Sequence, residues 1–310
     1  MRARRPKNHN KGWIKLKKTT LGKYSALFAG ITLLAACGAG SNADGEFNAD
    51  QTINVVTRED GSGTRGAFVE LTGVLVEDGD NETDETYQGA TIQNGTNGVM
   101  TAVSGDVASI GYTSVGSLND SVKEVKIGGA EPTAEAIEAG DYEISRPFNV
   151  AYSGTLSDAA ADFWSFVFSA EGQEIVAAEG YIEGLADAPV YEATEGVSGS
   201  VGVVGSTSVT PVMEAIAEAY QEVQPDVSID ITSNGSSAGM TAALDGSADI
   251  GMASRELKDE EAAELTHQPL AIDGIAVIVN PDNPVEDLTL EEVRQIFTGE
   301  EENWSTFIQE

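Results

Sequence analysis

The chain has 310 residues, of which 41% are hydrophobic, enough for two ordinary lobes, and its 51 acidic and 17 basic residues give a formal net charge of −34. Nine of the basic residues lie within the first 36 positions, so the remainder is more acidic still and nucleic acid is excluded as a partner, because such binding depends on Lys and Arg neutralising phosphates. One Cys and two His residues exclude a disulfide framework and a Cys-rich or multi-His metal centre, so we expect no metal and no cofactor.

The N-terminus has the pattern of an export signal. Residues 1–36 combine a basic start with an apolar stretch of 13 residues over 24–36, which is too short to span a membrane. This stretch ends in Leu34-Ala35-Ala36-Cys37, which resembles a bacterial lipobox. We therefore predict a lipoprotein signal peptide over 1–36, lipidation of Cys37 and a flexible tether over 37–50. An ordinary signal peptide with an incidental Cys is the alternative.

From residue 51 onward, predicted strands alternate with predicted helices, which favours an α/β fold with largely parallel sheets. Strands are predicted at 52–57, 107–113, 148–152, 201–204, 227–232, 248–252 and 275–279. Helices are predicted at 65–77, 97–104, 133–139, 156–167, 171–179, 212–223, 236–245 and 289–298. The acidic stretch 182–200 lacks periodicity, so we interpret it as a linker between segments 51–181 and 201–310.

Three strand-to-helix junctions are rich in glycine and hydroxyl residues. They have the sequences REDGSGTR (58–65), GSTSVTP (205–211) and NGSSAG (234–239). Such loops present backbone N–H groups at a helix N-terminus, where the helix dipole favours an anion. None fits the nucleotide pattern GxxxxGK[ST], so the junctions do not indicate an NTPase. Each junction alone is also explained by ordinary turn and N-cap chemistry.

The first junction carries charged groups that narrow the choice of anion. Arg58 supplies a fork of charged donors. Asp60 would be unfavourable beside an anion unless the anion donated a proton to it, as phosphate can and sulfate cannot. Asp60 is otherwise explained as a turn residue or as a partner for Arg58.

Five stretches together resemble the phosphate-binding lipoprotein of phosphate-specific ABC transporters. They are VVTREDGSGTRGAF (55–68), VVGSTSVTPVMEAIAEAY (203–220), SNGSSAGM (233–240), ADIGMASREL (248–257) and LTLEEVRQIFTGEEENWS (288–305). The resemblance implies a two-lobed periplasmic-binding-protein fold with phosphate in a hinge cleft. It also implies a set of phosphate ligands: Arg58, Asp60, Ser62, Gly63, Thr64, Thr207, Ser208 and Ser236.

Two features depart from that family. Arg255 stands where some members carry a carboxylate that accepts a phosphate proton, so we include it among the candidate phosphate contacts. The larger departure is the order, because the segment similar to 201–310 comes first in the family and the segment similar to 51–181 follows it. We therefore predict a circularly permuted chain, with one contiguous lobe from about 146 to 275 and a second lobe formed by 51–145 and 276–310; a slice of a tandem duplication is the alternative. The hinge strands are expected near 146–152 and 274–280.

The main functional hypothesis is a lipid-anchored receptor on the extracytoplasmic face of a bacterial cell membrane. It would bind inorganic phosphate, close its lobes over the anion and deliver it to an ABC permease, acting as a monomer and not as an enzyme. A phosphate sensor or adhesion protein without a transport role is one alternative. A phosphate-ester hydrolase with Ser62 or Ser208 as nucleophile is another, but the sequence offers no His cluster or metal motif to activate a serine.

Overall fold

The computed structural model describes residues 46–78 and 81–308, and the predicted signal peptide and Cys37 lie outside this part of the chain. Within the described residues, no helix is both long and apolar enough to cross a lipid bilayer. The two largest hydrophobic cores divide these residues into two lobes. One core draws its members from Phe148 to Ala271, and the other from Ile53 to Ile144 together with Ile275 to Trp304. We call these the contiguous lobe and the split lobe, and this division agrees with the predicted lobe boundaries.

Strands and helices alternate along most of the chain, as predicted. The strands are β1 (Asn54–Arg58), β2 (Leu75–Asp78), β3 (Asn81–Asp84), β4 (Thr91–Gln93), β5 (Ser109–Ser114), β6 (Lys123–Ile127), β7 (Ser145–Tyr152), β8 (Ile182–Glu183), β9 (Gly199–Gly205), β10 (Val227–Ser233), β11 (Ile250–Ala253), β12 (Thr266–Val279) and β13 (Asp287–Leu288). The helices are α1 (Gly63–Leu71), α2 (Thr96–Ser104), α3 (Ala134–Ala139), α4 (Asp158–Val167), α5 (Ala170–Ala178), α6 (Thr210–Val223), α7 (Ser236–Asp245), α8 (Asp259–Glu264) and α9 (Leu290–Thr298).

The strands form a sheet in the order β10-β9-β11-β7-β12-β5-β1-β4, and β12 runs through both lobes. Its first part, Thr266–Gly274, pairs with β7 in the contiguous lobe, and its last part, Ile275–Val279, pairs with β5 in the split lobe. β7 and β12 therefore form the hinge, close to the predicted hinge strands. In each lobe the central strands are parallel: β9 pairs with β10 and β11 in the contiguous lobe, and β1 pairs with β4 and β5 in the split lobe. The carboxyl ends of parallel strands are where α/β proteins place their ligands.

One prediction about local structure is wrong. The helix predicted at 65–77 ends at Leu71, because Gly73 adopts a φ of +71° that an α-helix cannot accommodate, and β2 and β3 then form an antiparallel hairpin. The acidic stretch 182–200, predicted as a linker between segments 51–181 and 201–310, is packed against the contiguous lobe. Its Tyr191 ring lies 5.0 Å from the ring of Phe166, and the Tyr191 hydroxyl donates to Asp162 at 2.6 Å.

Candidate anion-binding site

Seven hydroxyl side chains meet where the two lobes face each other at the hinge. The split lobe contributes two, from the first turns of α1 and α2, and the contiguous lobe contributes five, from the residues that follow β9, β10 and β11. We call this set the hydroxyl cluster; it consists of Thr64, Thr96, Ser206, Thr207, Ser208, Ser236 and Ser254. All of these residues follow the carboxyl ends of strands: β1, β4, β9 and β10 lead into α1, α2, α6 and α7, which begin at the cluster, and Ser254 directly follows β11.

Hydrogen bonds join the cluster across the lobe interface. Thr64 Oγ1 lies 2.9 Å from Ser208 Oγ and 3.3 Å from Ser254 Oγ. Thr96 Oγ1 lies 3.1 Å from Thr207 Oγ1 and 3.2 Å from Ser208 Oγ. The backbone adds one further bond between the lobes, because the Ser237 N–H donates to the Gly61 carbonyl at 3.1 Å. These contacts hold the lobes together directly, through groups that can both donate and accept hydrogen bonds.

The cluster is shielded from water and lies at four helix N-termini. Thr64 is 1% exposed, and Ser208 and Ser236 are fully buried. Helices α1, α2, α6 and α7 all begin at its edge. Their unpaired N–H groups and dipoles create a positive potential there despite the strongly acidic composition of the chain. In such a dry environment each hydrogen bond and charge interaction is stronger than it would be in water.

Arg58 is the first of two buried arginines beside the cluster. Its guanidinium is 2% exposed, donates to Glu59 at 2.7 and 2.8 Å, and reaches Thr207 Oγ1 across the interface at 3.0 Å. Its Nη1 atom is buried without a hydrogen-bond partner in the described part of the chain. Although burial raises the pKa of the Glu59 carboxyl, the hydrogen bonds and charge of Arg58 and the Gly95 N–H outweigh it and hold this pKa below its usual value. Arg58 therefore contacts the cluster through Nη2, while its Nη1 atom remains available to a ligand acceptor.

Arg146 is the second buried arginine. It lies on β7, 4% exposed, and forms an ion pair with the buried carboxylate of Asp273 on β12. Its Nη2 atom donates to Thr64 Oγ1 at 3.3 Å, and its Nε atom donates to the Ser254 carbonyl at 3.2 Å. The cluster is thus bordered by two guanidinium groups, each already paired with its own carboxylate.

The predicted phosphate ligands separate into three groups. Arg58, Thr64, Thr207, Ser208 and Ser236 all belong to or border the hydroxyl cluster. Ser62 and Gly63 lie in the adjoining turn, where Ser62 Oγ caps α1 by accepting the Arg65 N–H at 3.2 Å. The remaining two, Asp60 and Arg255, do not face the cluster.

The structure places the side chains of these two residues away from the cluster. The Asp60 side chain is 99% exposed and is paired with Arg65 at 3.1 Å, so it cannot accept a proton from an anion in the cluster, nor does it pair with Arg58. The Arg255 guanidinium binds Glu261 at 2.7 and 2.9 Å, because that carboxylate, at the start of α8, offers both of its oxygens. Both residues instead line an open cleft of about 780 Å³ between the lobes, beside the cluster.

Sequence reasoning missed four residues of the site: Thr96, Ser206, Ser254 and Arg146. For three of them, the sequence contained a pattern that could have indicated a role in the site. Thr96 follows a Gly at a strand-to-helix junction, as Ser236 does, and Ser206 and Ser254 lie within stretches that had already been singled out. Arg146 had no such signal, since it lies within a strand and enters the site only because the hinge strands cross there.

Within the described residues, the functional groups of the site are hydroxyl, backbone N–H and guanidinium donors. His267, the one histidine of this part of the chain, is exposed on β12. No group of three or more potential metal ligands occurs among the described residues. The geometry is therefore suited to holding a small oxyanion through hydroxyl, backbone and guanidinium donors.

Residues 26–171 and 191–309 match the family model described as the PBP superfamily domain. The chain is 48% identical over 271 residues to phosphate-binding protein PstS 2 of Streptococcus pneumoniae serotype 4, covering 87% of this chain and 92% of the relative. It is similar to the crystal structure of a phosphate ABC transporter phosphate-binding protein from Streptococcus pneumoniae TIGR4, with 47% identity, a TM-score of 0.67, and coverage of 83% of this chain and 100% of that one. The similarity to phosphate-binding protein PstS of Pseudomonas aeruginosa PAO1 is 36% over 119 residues, or 36% of this chain and 37% of the relative.

Proposed function

Because the chain belongs to the PstS family of phosphate-binding proteins, we propose that it is an extracytoplasmic receptor that binds inorganic phosphate in the hydroxyl cluster and delivers it to an ABC permease. The streptococcal relatives that match over most of their length are named as phosphate-binding proteins of this transport system. The chain accordingly acts by binding and release, with no chemical conversion of its ligand.

One observation carries this proposal: buried hydroxyls from both lobes meet beside the unpartnered Nη1 atom of Arg58. A phosphate that inserts between Thr64 and Ser208 would accept hydrogen bonds from both lobes at once. It would also give Arg58 Nη1 the acceptor that it otherwise lacks. Ligand binding and lobe closure are therefore linked, since the full set of donors exists only when the lobes are together.

The phosphate proton can be accepted without a carboxylate. A Ser or Thr hydroxyl both donates and accepts, so oxygens such as Ser236 Oγ can take the role that the sequence suggested for Asp60. Sulfate brings no proton, so the hydroxyl oxygen that would accept the phosphate proton loses that hydrogen bond when sulfate is bound. We expect phosphate to bind more tightly than sulfate.

We propose that residues 1–36 are removed as a signal peptide, that Cys37 is lipidated and that residues 37–50 tether the receptor to the outer face of the cell membrane. The sequence pattern Leu34-Ala35-Ala36-Cys37 supports the anchor. A monomer is expected, because one chain supplies both lobes and every residue of the hydroxyl cluster.

We also propose that the chain has a circularly permuted order relative to part of its family, with 51–181 and 201–310 exchanged. A linear alignment can include only one of two exchanged segments. The match to the Pseudomonas aeruginosa relative over 36% of this chain is what such an exchange predicts. The match across 92% of the Streptococcus pneumoniae relative supports a linear order that those streptococcal proteins share with this chain.

Isothermal titration calorimetry with phosphate and then sulfate, on purified protein whose size is measured in the same buffer, tests the function. The expected result is one phosphate per monomer and a weaker or absent sulfate signal. A folded protein that takes up no phosphate, or that binds sulfate as tightly, contradicts the proposal. Binding by a dimer alone would show instead that the lobes are shared between two chains.

A further inference from the structure

The ion pair between Arg146 and Asp273 lies where the hinge strands cross, and it contacts both lobes. Asp273 Oδ2 accepts from Ser114 Oγ at 2.7 Å, and Oδ1 accepts from the Gly116 N–H at 3.3 Å, both in the split lobe. Arg146 Nε donates to the carbonyl of Ser254 in the contiguous lobe at 3.2 Å. Arg146 and Asp273 are 4% and 2% exposed, so the pair is inside the protein and not on the wall of an open groove.

Stability of the hinge does not by itself account for this buried ion pair. Burying two charges is costly because each loses its hydration, and apolar residues of similar volume commonly stabilise a protein as well or better. Here every N–H that Arg146 directs at the hinge is satisfied: Nη1 contacts the Asp273 carboxylate and the carbonyls of Asp273 and Gly274, the latter at 3.1 Å. The guanidinium also lies 4.9 Å from the centre of the Phe148 ring, which fixes its orientation.

The Nη2 nitrogen of this guanidinium contacts the hydroxyl cluster. Arg146 Nη2 donates to Thr64 Oγ1 at 3.3 Å, the same oxygen that bridges the lobes through Ser208 and Ser254. Thr64 lies in the first turn of α1, on the lobe that has to move during opening. The contact between Nη2 and Thr64 therefore forms only when α1 lies against the hinge, and it sets which way the Thr64 hydroxyl can donate. With its oxygen accepting from Arg146, the Thr64 O–H is directed into the cluster.

We propose that Arg146, held by Asp273, is a positioning residue that couples phosphate binding in the hydroxyl cluster to closure of the hinge. The inference rests on the proposed phosphate-binding function. Arg146 orients Thr64 as a donor to the ligand and adds a cross-lobe bond that stabilises the closed arrangement. Lys cannot replace it, because an ammonium group can pair with Asp273 but cannot also span Ser254 and Thr64.

The test compares phosphate affinity by calorimetry and phosphate-induced compaction by small-angle X-ray scattering in the wild type and in Arg146→Lys. Lys keeps the buried charge pair, so the variant should fold. We expect its phosphate affinity to fall about tenfold or more, the usual effect of losing a hydrogen bond to a charged group, and its compaction to be incomplete. Asp162→Asn is the matched control, since Asp162 is a 5% exposed carboxylate held by hydrogen bonds inside the contiguous lobe. It should lower the melting temperature and leave both phosphate readouts unchanged.

A double-mutant cycle with Thr64→Val separates positioning from general damage to the hinge. If Arg146 acts through Thr64, the two substitutions together weaken phosphate binding less than the product of their separate effects. Independent effects would overturn the inference, as would wild-type affinity and compaction in Arg146→Lys. A folded wild-type protein that binds no phosphate would overturn the proposed function itself, whereas normal wild-type binding with an unaffected Lys variant would overturn this inference alone.

Discussion

Substituting Gly63 by Ala adds a single methyl group, and we expect this change to weaken phosphate binding while the protein still folds. Gly63 is the first residue of α1 and has an ordinary helical backbone, so the helix itself accepts Ala at this position. A Cβ atom placed there would lie 2.3 Å from Ser236 Oγ and 2.9 Å from Ser254 Oγ, both on the opposite lobe. The substitution Gly63→Ala therefore obstructs the approach of the lobes without disturbing either lobe internally.

The size of the effect follows from the contacts that would be lost. The Ser236 contact must widen by about 0.7 Å to reach 3.0 Å, the limit below which Cβ contacts are essentially never seen. The three bonds that α1 and its turn make across the interface, two from Thr64 and one from the Gly61 carbonyl, cannot all survive that shift. Phosphate is proposed to replace the Thr64–Ser208 bond, so the affinity depends on the other two; at about 1 kcal/mol each, their loss is worth about 2 kcal/mol, or roughly thirtyfold in phosphate affinity.

Phosphate calorimetry together with thermal unfolding checks this prediction, and Gly66→Ala provides the matched control. Gly66 is on the same helix, but a Cβ there would only touch Arg255 Cδ at 3.9 Å, which is an ordinary contact distance. We expect Gly66→Ala to bind phosphate like the wild type. We expect Gly63→Ala to remain folded and to unfold cooperatively, since the helix accepts Ala and neither lobe is disturbed internally, yet to bind phosphate about thirtyfold more weakly. Wild-type affinity in Gly63→Ala would refute closure of the lobes through these contacts.

Three further predictions concern charge and packing. Arg58→Lys should lower phosphate affinity at least about tenfold in calorimetry, because Lys cannot hold Glu59 and reach the cluster together, while Arg65→Lys, outside the cluster, should bind normally. Burial raises the pKa of Asp162, but hydrogen bonds to its carboxylate outweigh burial and hold this pKa below the ordinary 3.8. The carboxylate therefore stabilises the protein above about pH 4, and this stabilisation is lost on acidification. In urea unfolding, the free energy of unfolding of Asp162→Asn should fall less with acidification than that of the wild type. Trp304→Ala should cost about 3–5 kcal/mol of unfolding free energy, because the ring is fully buried and its N–H donates to the Ala108 carbonyl at 2.9 Å; a loss below about 1 kcal/mol in urea unfolding contradicts this.

The sequence predicted the lobes and most site loops because both are encoded locally. Apolar periodicity identified α4 and α6, and glycine–hydroxyl stretches at strand ends identified the loops that carry Thr64, Ser208 and Ser236. Such patterns report what happens within one strand–helix unit. They could not distinguish a helix reaching residue 77 from the β2–β3 hairpin, because the break depends on the backbone of a single glycine, Gly73.

The errors at the site have a different cause, since side-chain direction depends on tertiary neighbours. Asp60 and Arg58 are two residues apart in the sequence, yet Arg58 is buried and Asp60 is in water, because Glu59 supplies the carboxylate that Arg58 binds. Arg255 likewise turns to Glu261. Arg146 joins the site through the pairing of β7 with β12, a long-range register that no local pattern encodes.

The most direct measurement of the central claim is a crystal structure of the protein with phosphate. We expect one tetrahedral anion in the hydroxyl cluster, within hydrogen-bond distance of Ser208, Ser236 and the Arg58 guanidinium, with both lobes contacting it. An anion bound instead in the open cleft, at Arg65 or Lys258, with the hydroxyl cluster unchanged, would contradict the account.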